Sequence, residues 1–574
     1  MSEAFLGVEL SLTGRRWRAR QGDERAGLAI AQRLALPEIV GRLLAGRGVG
    51  PEAAESFLNP TLRDLLPDPS LFRDMDSAAE RLARAVRDGE GIAVFGDYDV
   101  DGATSSALLA RFFAATGQPI RIYIPDRMKE GYGPNLPALL ALRAAGIKLV
   151  VTVDCGITAF EPLAGAADAG LDVIVIDHHV AEPRLPKAVA VVNPNRLDEA
   201  PGHGQLAAVG VAFLLAVAVN RALRQAGWFK DGRVEPDLKQ LLDLVALGTI
   251  CDVVPLTGIN RALVTQGLKV MGARANIGLA ALADVARMNE APGTYHAGFL
   301  LGPRVNAGGR VGAADLGARL LSTDDPLEAA AIARQLDAFN AERRQIEEKV
   351  LLEAMAQAES KASPGLVFVS AEGWHAGVIG IVASRLKERY GRPACVVALG
   401  EGIGKGSGRS IAGIDLGNAV IAARQAGLLV NGGGHAMAAG FTAGAEKLDA
   451  LRAFLAERLG AGLNGERPQA ILDLDAALQP GGATADLLRQ IERLGPFGSG
   501  NAEPRFALTA ARIVRADPAG EAHVRCIISG ADGARLLSTD DPLEAAAIAR
   551  QLDAFNAERR QIEEKVLLEA MAQA

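Results

Sequence analysis

From Gly91 onward the chain alternates two textures. Short apolar runs rich in β-branched residues (Ile92 to Phe95, Leu149 to Val153, Val173 to Ile176) are separated by Ala/Leu-rich stretches such as Thr104 to Thr116 and Pro162 to Ala169. Runs that short and that apolar predict strands buried on both faces. The longer stretches predict helices, and together they give the βαβ rhythm of a mostly parallel sheet. The rhythm resumes at Leu366 to Ser370, Val378 to Tyr390 and Ala394 to Ala398. Residues 1–80 predict short amphipathic helices broken by Pro37, Gly46, Gly48, Pro51, Pro60, Pro67 and Pro69. Composition loosens between Gly460 and Pro480, and a smaller strand-bearing piece follows.

Residues 317–358 recur letter for letter as residues 533–574. Structural repeats that diverge keep only the positions packing demands, so a verbatim copy points to a recent duplication, a recombined gene or an assembly error. In the first copy Ser322, Thr323 and Asp324 precede Pro326, and Leu327, Ile332, Leu336, Phe339, Ile346 and Val350 fall near helical spacing. That pattern predicts a capped helix suited to connecting two domains. The second copy is expected to be a helix too, with its apolar stripe lacking a native partner.

The 574 residues correspond to about four domains at roughly 150 residues each. With 49% apolar and 22% charged residues the composition is that of a folded, soluble protein. No uncharged apolar run reaches the length of about 18 that a membrane span needs. Arg15, Arg16, Arg18, Arg20, Asp23, Glu24 and Arg25 exclude a secretory core from the first thirty positions, so the expected location is the cytoplasm. Cys155, Cys251, Cys395 and Cys526 show no CxxC spacing, which excludes a zinc ribbon and predicts small buried hydrophobes. A net charge of −7 offers no overall basic footprint, so a polyanion partner would need a local groove.

Three predicted strands end in acid or imidazole: Gly96-Asp97-Tyr98-Asp99-Val100-Asp101-Gly102, Val153-Asp154-Cys155-Gly156 and Ile176-Asp177-His178-His179. Ligands of open parallel sheets bind at the carboxyl ends of the strands, so these residues converge on one place. A further carboxylate follows at Asp252. Carboxylates gathered this way repel one another unless cations sit among them. An oxygen-rich set with imidazole favours Mn²⁺ or Mg²⁺ over zinc, and a pair of ions about 3.5–4 Å apart suits in-line phosphoryl displacement. Read singly, Asp97 is as readily a helix cap as a ligand.

The ordered segments GDYDVDG, VDCG, Asp177-His178-His179 and CDVVPL resemble the DHH phosphoesterase superfamily and, within it, the RecJ family of bacterial single-stranded-DNA exonucleases. The similarity runs from about residue 50 to 530 and includes Leu301 to Arg310, Gly432-Gly433-Gly434-His435 and Pro496 to Asn501. It implies an α/β fold with a two-lobed DHH/DHHA1 core, mostly parallel sheets joined by a long helix, and a partial OB-fold barrel. The implied divisions are 1–80 helical, 81–310 DHH, 311–360 connector, 361–465 DHHA1, 466–532 truncated OB-fold, and the copied segment 533–574. By motif, the metal ligands correspond to Asp99, Asp101, Asp154, His178 and Asp252, with His179 joining them as catalytic. Two divalent cations and single-stranded DNA are the implied cofactors and substrate; a single-strand-binding protein and a helicase are further expected partners, in DNA repair and recombination.

Gly406-Ser407-Gly408-Arg409 resembles the family's pocket for a DNA 5′-phosphate. Gly402, Gly404, Gly406 and Gly408 are expected to let backbone N–H groups approach the anion, with Lys405 and Arg409 adding charge. Gly433 and His435 read as a contact to the scissile phosphate. Arg304, Asn306 and Arg310 read as a glycine-broken phosphate-binding loop. Trp374-His375 is open between base stacking and packing. Two other functions compete: a DHH phosphoesterase for small substrates such as pyrophosphate, short oligonucleotides or cyclic dinucleotides, which chain length disfavours, and a non-enzymatic replication-fork scaffold, which the intact ligand positions disfavour.

Overall fold

The fold is given by a computed structural model, which describes the chain except for residues 1–2, 127–129, 231, 361–364, 461–468, 520–522, 532–534, 539–561 and 564–574. The chain forms two compact units: residues 68–252 with 267–468, and residues 1–67 with 253–266 and 469–574.

The larger unit opens with a five-stranded, wholly parallel sheet. Its strands lie in the order Arg121–Tyr123, Gly91–Gly96, Ile147–Val153, Asp172–Ile176, Ala190–Val192. Ala93, Phe95, Val150, Val173 and Val175 are buried on one face with Leu139, Leu142 and Leu163 of the crossover helices. The apolar runs are continuous rather than alternating because helices cover both faces. Helix Ala208–Gln225 is long and apolar enough to cross a membrane by length and composition, but it is mostly buried here as a core helix.

Two short helices, Gly302–Val311 and Leu316–Ser322, lead into the 35-residue helix Pro326–Ser360. Thr323 and Asp325 set its start: Asp325 Oδ1 accepts the Leu327 N–H at 2.8 Å, and Pro326 takes the first helical position, where no N–H is required. Ile332, Ala333, Leu336, Val350 and Ala354 are its buried stripe. Strand Val367–Glu372, helix Ile379–Tyr390 and strand Ala394–Gly400 then form a parallel βαβ unit. The sheet continues antiparallel through Ile403–Arg409, Ala438–Gly444 and Asn431–His435, elements the glycine-rich sequence concealed.

In the smaller unit the N-terminal and C-terminal parts of the chain share one core. Strand Arg16–Ala19 pairs in parallel with Ile471–Leu474. Ile30, Val40, Leu43 and Leu44 pack with Leu487, Ile491, Leu494 and Phe506. Arg261 is buried there, donating to the carbonyls of Phe57 at 2.8 Å and Gly495 at 2.5 Å with its guanidinium over the Phe57 ring.

The C-terminal sheet orders strands Ala511–Ala519, His523–Gly530, Arg535–Ser538 and Ile562–Glu563. This corrects the expectation that helix begins at Gly533. Arg-Leu-Leu-Ser is helical as Arg319–Ser322 and a strand as Arg535–Ser538, where the edge of His523–Gly530 supplies hydrogen-bond partners. The rest of the copied segment, apart from Ile562–Glu563, lies outside the described residues, and with it the expected unpartnered stripe except Ile562, whose backbone pairs with Leu536 as a strand.

Candidate metal centre and active site

The parallel register aligns Gly96 with Val153 and Val153 with Ile176, so the residues that follow, Asp97, Asp154 and Asp177, start from one level at the carboxyl end of the sheet. Asp154 follows the central strand, its N–H donating to the Ile176 carbonyl at 3.0 Å. Its φ of +59° is a left-handed conformation that Asp tolerates better than most residues. Three acidic or imidazole groups, each with ligand atoms within 4.8 Å of one another, overlap here: Asp97, Asp99 and Asp154; Asp154, His178 and His179; Asp101, His178 and Asp252. Every ligand expected from the sequence is therefore brought together, and Asp97, left undecided by its sequence, joins them.

Each side chain is fixed by its surroundings. Asp99 caps helix Val100–Ala115, Oδ1 accepting the N–H groups of Asp101 at 2.9 Å and Gly102 at 3.1 Å. Asp101 reaches across to helix Ala208–Gln225, accepting the N–H groups of Ala208 at 2.7 Å and Val209 at 2.9 Å. Capping and ligation are thus not alternatives here, because a carboxylate has more lone pairs than the cap uses. Asp177 is spent on structure: Oδ1 accepts from the His178 N–H at 2.8 Å, the His179 N–H at 3.1 Å and His179 Nδ1 at 2.8 Å, and Oδ2 from the Ile157 N–H at 3.0 Å. Burial opposes its charge, but these bonds hold its carboxyl below the ordinary range. Asn193 Nδ2 donates to the His179 carbonyl at 2.9 Å and Asn195 Nδ2 to that of His178 at 2.5 Å. Tyr132 donates to the Asp154 carbonyl at 3.1 Å and sets its ring edge-on to His179. No motif spacing pointed to Tyr132, Asn193 or Asn195; the Asn193-Pro194-Asn195 turn signal after an apolar run was the available clue.

The electrostatics ask for cations. Burial, then Asp252 and Asp99, raise the Asp101 carboxyl well above its usual value; burial, then Asp99 and Asp101, do the same to Asp154. Burial and Asp99 push Asp252 up to about 7. Asp252 also sits at the C-terminal end of helix Leu242–Cys251, where the helix dipole disfavours an anion. Burial and the neighbouring His179 push His178 down to about 4, leaving its ring neutral and able to ligate. His179, partly desolvated though its ring is half-exposed, is raised to about 9 by its bond to Asp177. Asp154 Oδ1, His178 Nε2 and Asp252 Oδ2 are buried without hydrogen-bond partners, and His178 Nε2 lies 3.3 Å from the first and 3.6 Å from the second of these carboxylate oxygens. Orphaned buried acceptors of this kind, on carboxylates and a neutral imidazole, are the donor set of a hard divalent cation.

Glycine here serves close approach. A Cβ on Gly102 would come within 2.4 Å of the Asp97 carbonyl oxygen, and one on Gly309 within 2.9 Å of that of Tyr98. Gly102→Ala is expected to displace the Asp97–Asp99 loop, lowering stability by about 1–3 kcal/mol and weakening Mn²⁺ binding, as read by chemical denaturation and metal titration. The expected phosphate-binding loop at Arg304–Arg310 is instead helix Gly302–Val311. Its glycines, which read as loop residues in sequence, let the helix pack tightly. Arg304 turns to Asp337 of the long helix at 2.9 Å and to the Leu300 carbonyl at 2.7 Å. Asn306 and Arg310 line a cleft of about 650 Å³ with Arg343, Arg344 and Arg385, and Arg310 also donates to the Gly377 carbonyl at 3.0 Å.

The glycine-rich Ile403–Arg409 segment is likewise a regular strand, hydrogen-bonded on both sides. Cβ atoms on Gly404, Gly406 and Gly408 would meet Val397, Phe441 and Leu416 within 2.1–2.7 Å, so these glycines admit core side chains rather than an anion. Ser407 and Arg409 alternate onto the other face, where Arg409 Nη1 donates to Ser407 Oγ at 3.1 Å and both lie against Gly380 at the start of helix Ile379–Tyr390. Register places Gly433 opposite Gly440 and Gly440 opposite Ser407, and His435 opposite Ala438 and Ala438 opposite Arg409. Gly433, His435, Ser407 and Arg409 therefore share one face, and at Gly433 and Gly440 it is bare, with nothing within 4 Å of a would-be Cβ. Trp374 is buried, its indole donating to Glu353 at 2.7 Å, which settles it as packing.

Family models match three segments of the chain: the DHH family N-terminal domain at residues 91–249, the DHHA1 domain at 363–461 and the RecJ OB domain at 474–538. Fold and site together define a phosphoesterase of the DHH class. Among curated proteins, the chain is 38% identical to the single-stranded-DNA-specific exonuclease RecJ of Dickeya dadantii, covering 88% of each chain, and 36% identical to that of Escherichia coli, covering 91% of each. The crystal structure of RecJ from Thermus thermophilus in complex with Mn²⁺ superposes with a TM-score of 0.76 at 32% identity, covering 92% of this chain and 74% of that one. The same organism's RecJ in complex with Mg²⁺ gives a TM-score of 0.70 at 31% identity, covering 92% of this chain and 73% of that one. The chain belongs to the RecJ family.

Proposed function

We propose that this protein is a metal-dependent exonuclease specific for single-stranded DNA, working from the 5′ end to release 5′-mononucleotides. The observation that carries the reading is the cluster of raised carboxylates and a neutral His178 with orphaned acceptors at the aligned strand ends. Asp99, Asp101, Asp154, His178 and Asp252 would hold two divalent cations, Mn²⁺ or Mg²⁺, and Asp154 belongs to two of the three ligand groups. When bound, such ions supply Lewis acidity toward phosphate oxygens and lower the pKa of water. Asp177 and the Asn193–Asn195 turn keep the histidines oriented, and His179, held cationic by Asp177, offers charge to a phosphate oxygen.

In the second lobe Ser407 and Arg409 beside the start of helix Ile379–Tyr390 take the terminal 5′-phosphate, while Gly433 and His435, on the same face, contact the scissile phosphate. Asn306 and Arg310 bind backbone phosphate from the cleft, and Arg304 supports them by holding their helix to Asp337. Work on DNA in repair and recombination, in the cytoplasm and beside a single-strand-binding protein and a helicase, fits this activity.

The deciding experiment incubates 5′-labelled single-stranded and duplex DNA with Mn²⁺ or Mg²⁺ and looks for labelled mononucleotide from the single strand. Release from duplex at an equal rate, or internal cleavage first, would reject the reading. Arg409→Ala is expected to cost roughly 1.5–3 kcal/mol of preference for a 5′-phosphorylated end, about ten- to a hundredfold in relative kcat/KM. Mn²⁺ affinity should not move. Equal rates on phosphorylated and hydroxyl ends in the parent protein would eliminate this pocket.

A further inference from the structure

Asp74 stands at the N-cap position of helix Met75–Asp88, where Asp commonly accepts the helix's free N–H groups. It makes no such bond. Its backbone is instead left-handed, φ +62°, and its carboxylate is turned to the outer edge of the sheet. There Oδ2 accepts the Val191 N–H at 3.1 Å and Arg196 Nη1 at 2.8 Å. Arg196 is buried, and its planar fork is used on three sides: Nη1 also donates to the Val191 carbonyl at 2.6 Å, while Nε and Nη2 grip Asp198 at 2.9 and 2.8 Å. Both outward backbone groups of Val191, in the edge strand Ala190–Val192, are thereby satisfied by side chains.

Between Val191 and Arg196 lies the turn that touches the metal centre. The Arg196 N–H donates to the Asn193 carbonyl at 3.2 Å and the Asn195 N–H to Asn193 Oδ1 at 2.7 Å, closing the turn on itself. From it the two asparagine amides reach the carbonyls of His178 and His179. A left-handed Asp that forgoes its helix cap, an arginine fork and two asparagines thus form one continuous hydrogen-bonded chain ending on the histidine pair. We infer that Asp74 and Arg196 are positioning residues for His178 and His179, acting through the Asn193–Asn195 turn. The inference rests on the reading that His178 holds metal. Supporting groups around metal ligands typically carry about ten- to a hundredfold of affinity or activity.

The test uses the full chain with Arg196→Lys, which keeps the charge and loses the fork, and Asp74→Asn, which keeps the shape and tolerates the left-handed backbone while losing the charge. If the lysine variant does not fold, the asparagine variant carries the measurement. Arg81→Lys is the control: Arg81 is also buried and doubly paired, to Asp172 and Glu90, but Asp172 begins the strand whose other end leads to the histidines.

Mn²⁺ titration of the substrate-free protein and steady-state kinetics are measured beside thermal unfolding. The expected result is Mn²⁺ affinity and kcat each lowered about tenfold in both site variants, with KM within about twofold and the control's affinity and kcat unchanged. Lowered melting temperatures with parental kcat and Mn²⁺ affinity would reduce Asp74 and Arg196 to scaffold and overturn the inference. An equal loss of affinity in Arg81→Lys would do the same. A parent protein that binds no Mn²⁺ would instead overturn the metal-site reading beneath it.

Discussion

Asp154→Asn should lower exonuclease turnover by about a thousandfold, the largest effect expected of any single substitution. Asp154 follows the central strand of the first sheet and belongs to two of the three ligand groups, so its loss disturbs the whole cluster rather than one corner. Several kcal/mol of transition-state stabilisation depend on such a ligand, and about 1.4 kcal/mol corresponds to a factor of ten. Asparagine is the informative replacement because the site's φ of +59° is one it adopts readily, whereas alanine would add backbone strain to the loss of charge. Rates on 5′-labelled single-stranded DNA, with Mn²⁺ titration and thermal unfolding, separate the two. Near-parental turnover would mean that Asp154 is no ligand.

Removing divalent metal should abolish hydrolysis and reverse the pH dependence of stability near the site. Asp252, raised to about 7 by burial and Asp99, together with the raised Asp101 and Asp154, binds protons more tightly in the folded metal-free protein than in the unfolded chain. His178, pushed down to about 4, works the other way across this window, but one imidazole is outweighed by three raised carboxylates, so the native state holds more protons than the unfolded state from about pH 4 to about 7 and its stability falls as pH rises. Because metal competes with those protons, its affinity should rise over the same interval. Melting temperatures in excess chelator should therefore decline toward pH 7, and Mn²⁺ should restore them most at the upper end. A chelated protein that kept its activity, or whose melting temperature rose with pH across this window, would contradict the assignment.

Apart from Asp252, which ends a helix, the acid and imidazole cluster was legible in sequence because its chemistry is tied to strand ends. Apolar runs of strand length followed by Asp or His put these groups at the carboxyl edge of a parallel sheet whatever the packing details, and the same-sign crowding implied cations. Helix Gly302–Val311 and strand Ile403–Arg409 differ from the loops expected there for one reason. A glycine permits a turn or a close approach, and sequence cannot distinguish the two because the deciding atom belongs to a distant residue. Phe441 fills the space beside Gly406, Leu416 that beside Gly408, and the Tyr98 carbonyl that beside Gly309.

By itself the sequence determined the βαβ order, the acid and imidazole residues that follow its strands and the connecting helix, since each follows from local periodicity and from which residue ends a strand; Asp252, which ends a helix, entered the ligand set through the family resemblance. Only the tertiary structure decided what depends on partners far along the chain. The N-terminal helices share a core with residues after 468 because Leu43 and Leu44 find Leu487 and Leu494. Asp74 forgoes its helix cap for the Val191 N–H and the charged guanidinium of Arg196. Arg-Leu-Leu-Ser, identical in both places, is a helix at 319–322 and a strand at 535–538. Four residues carry too little intrinsic preference to outweigh a sheet edge that satisfies their backbone, and so tertiary context sets the outcome.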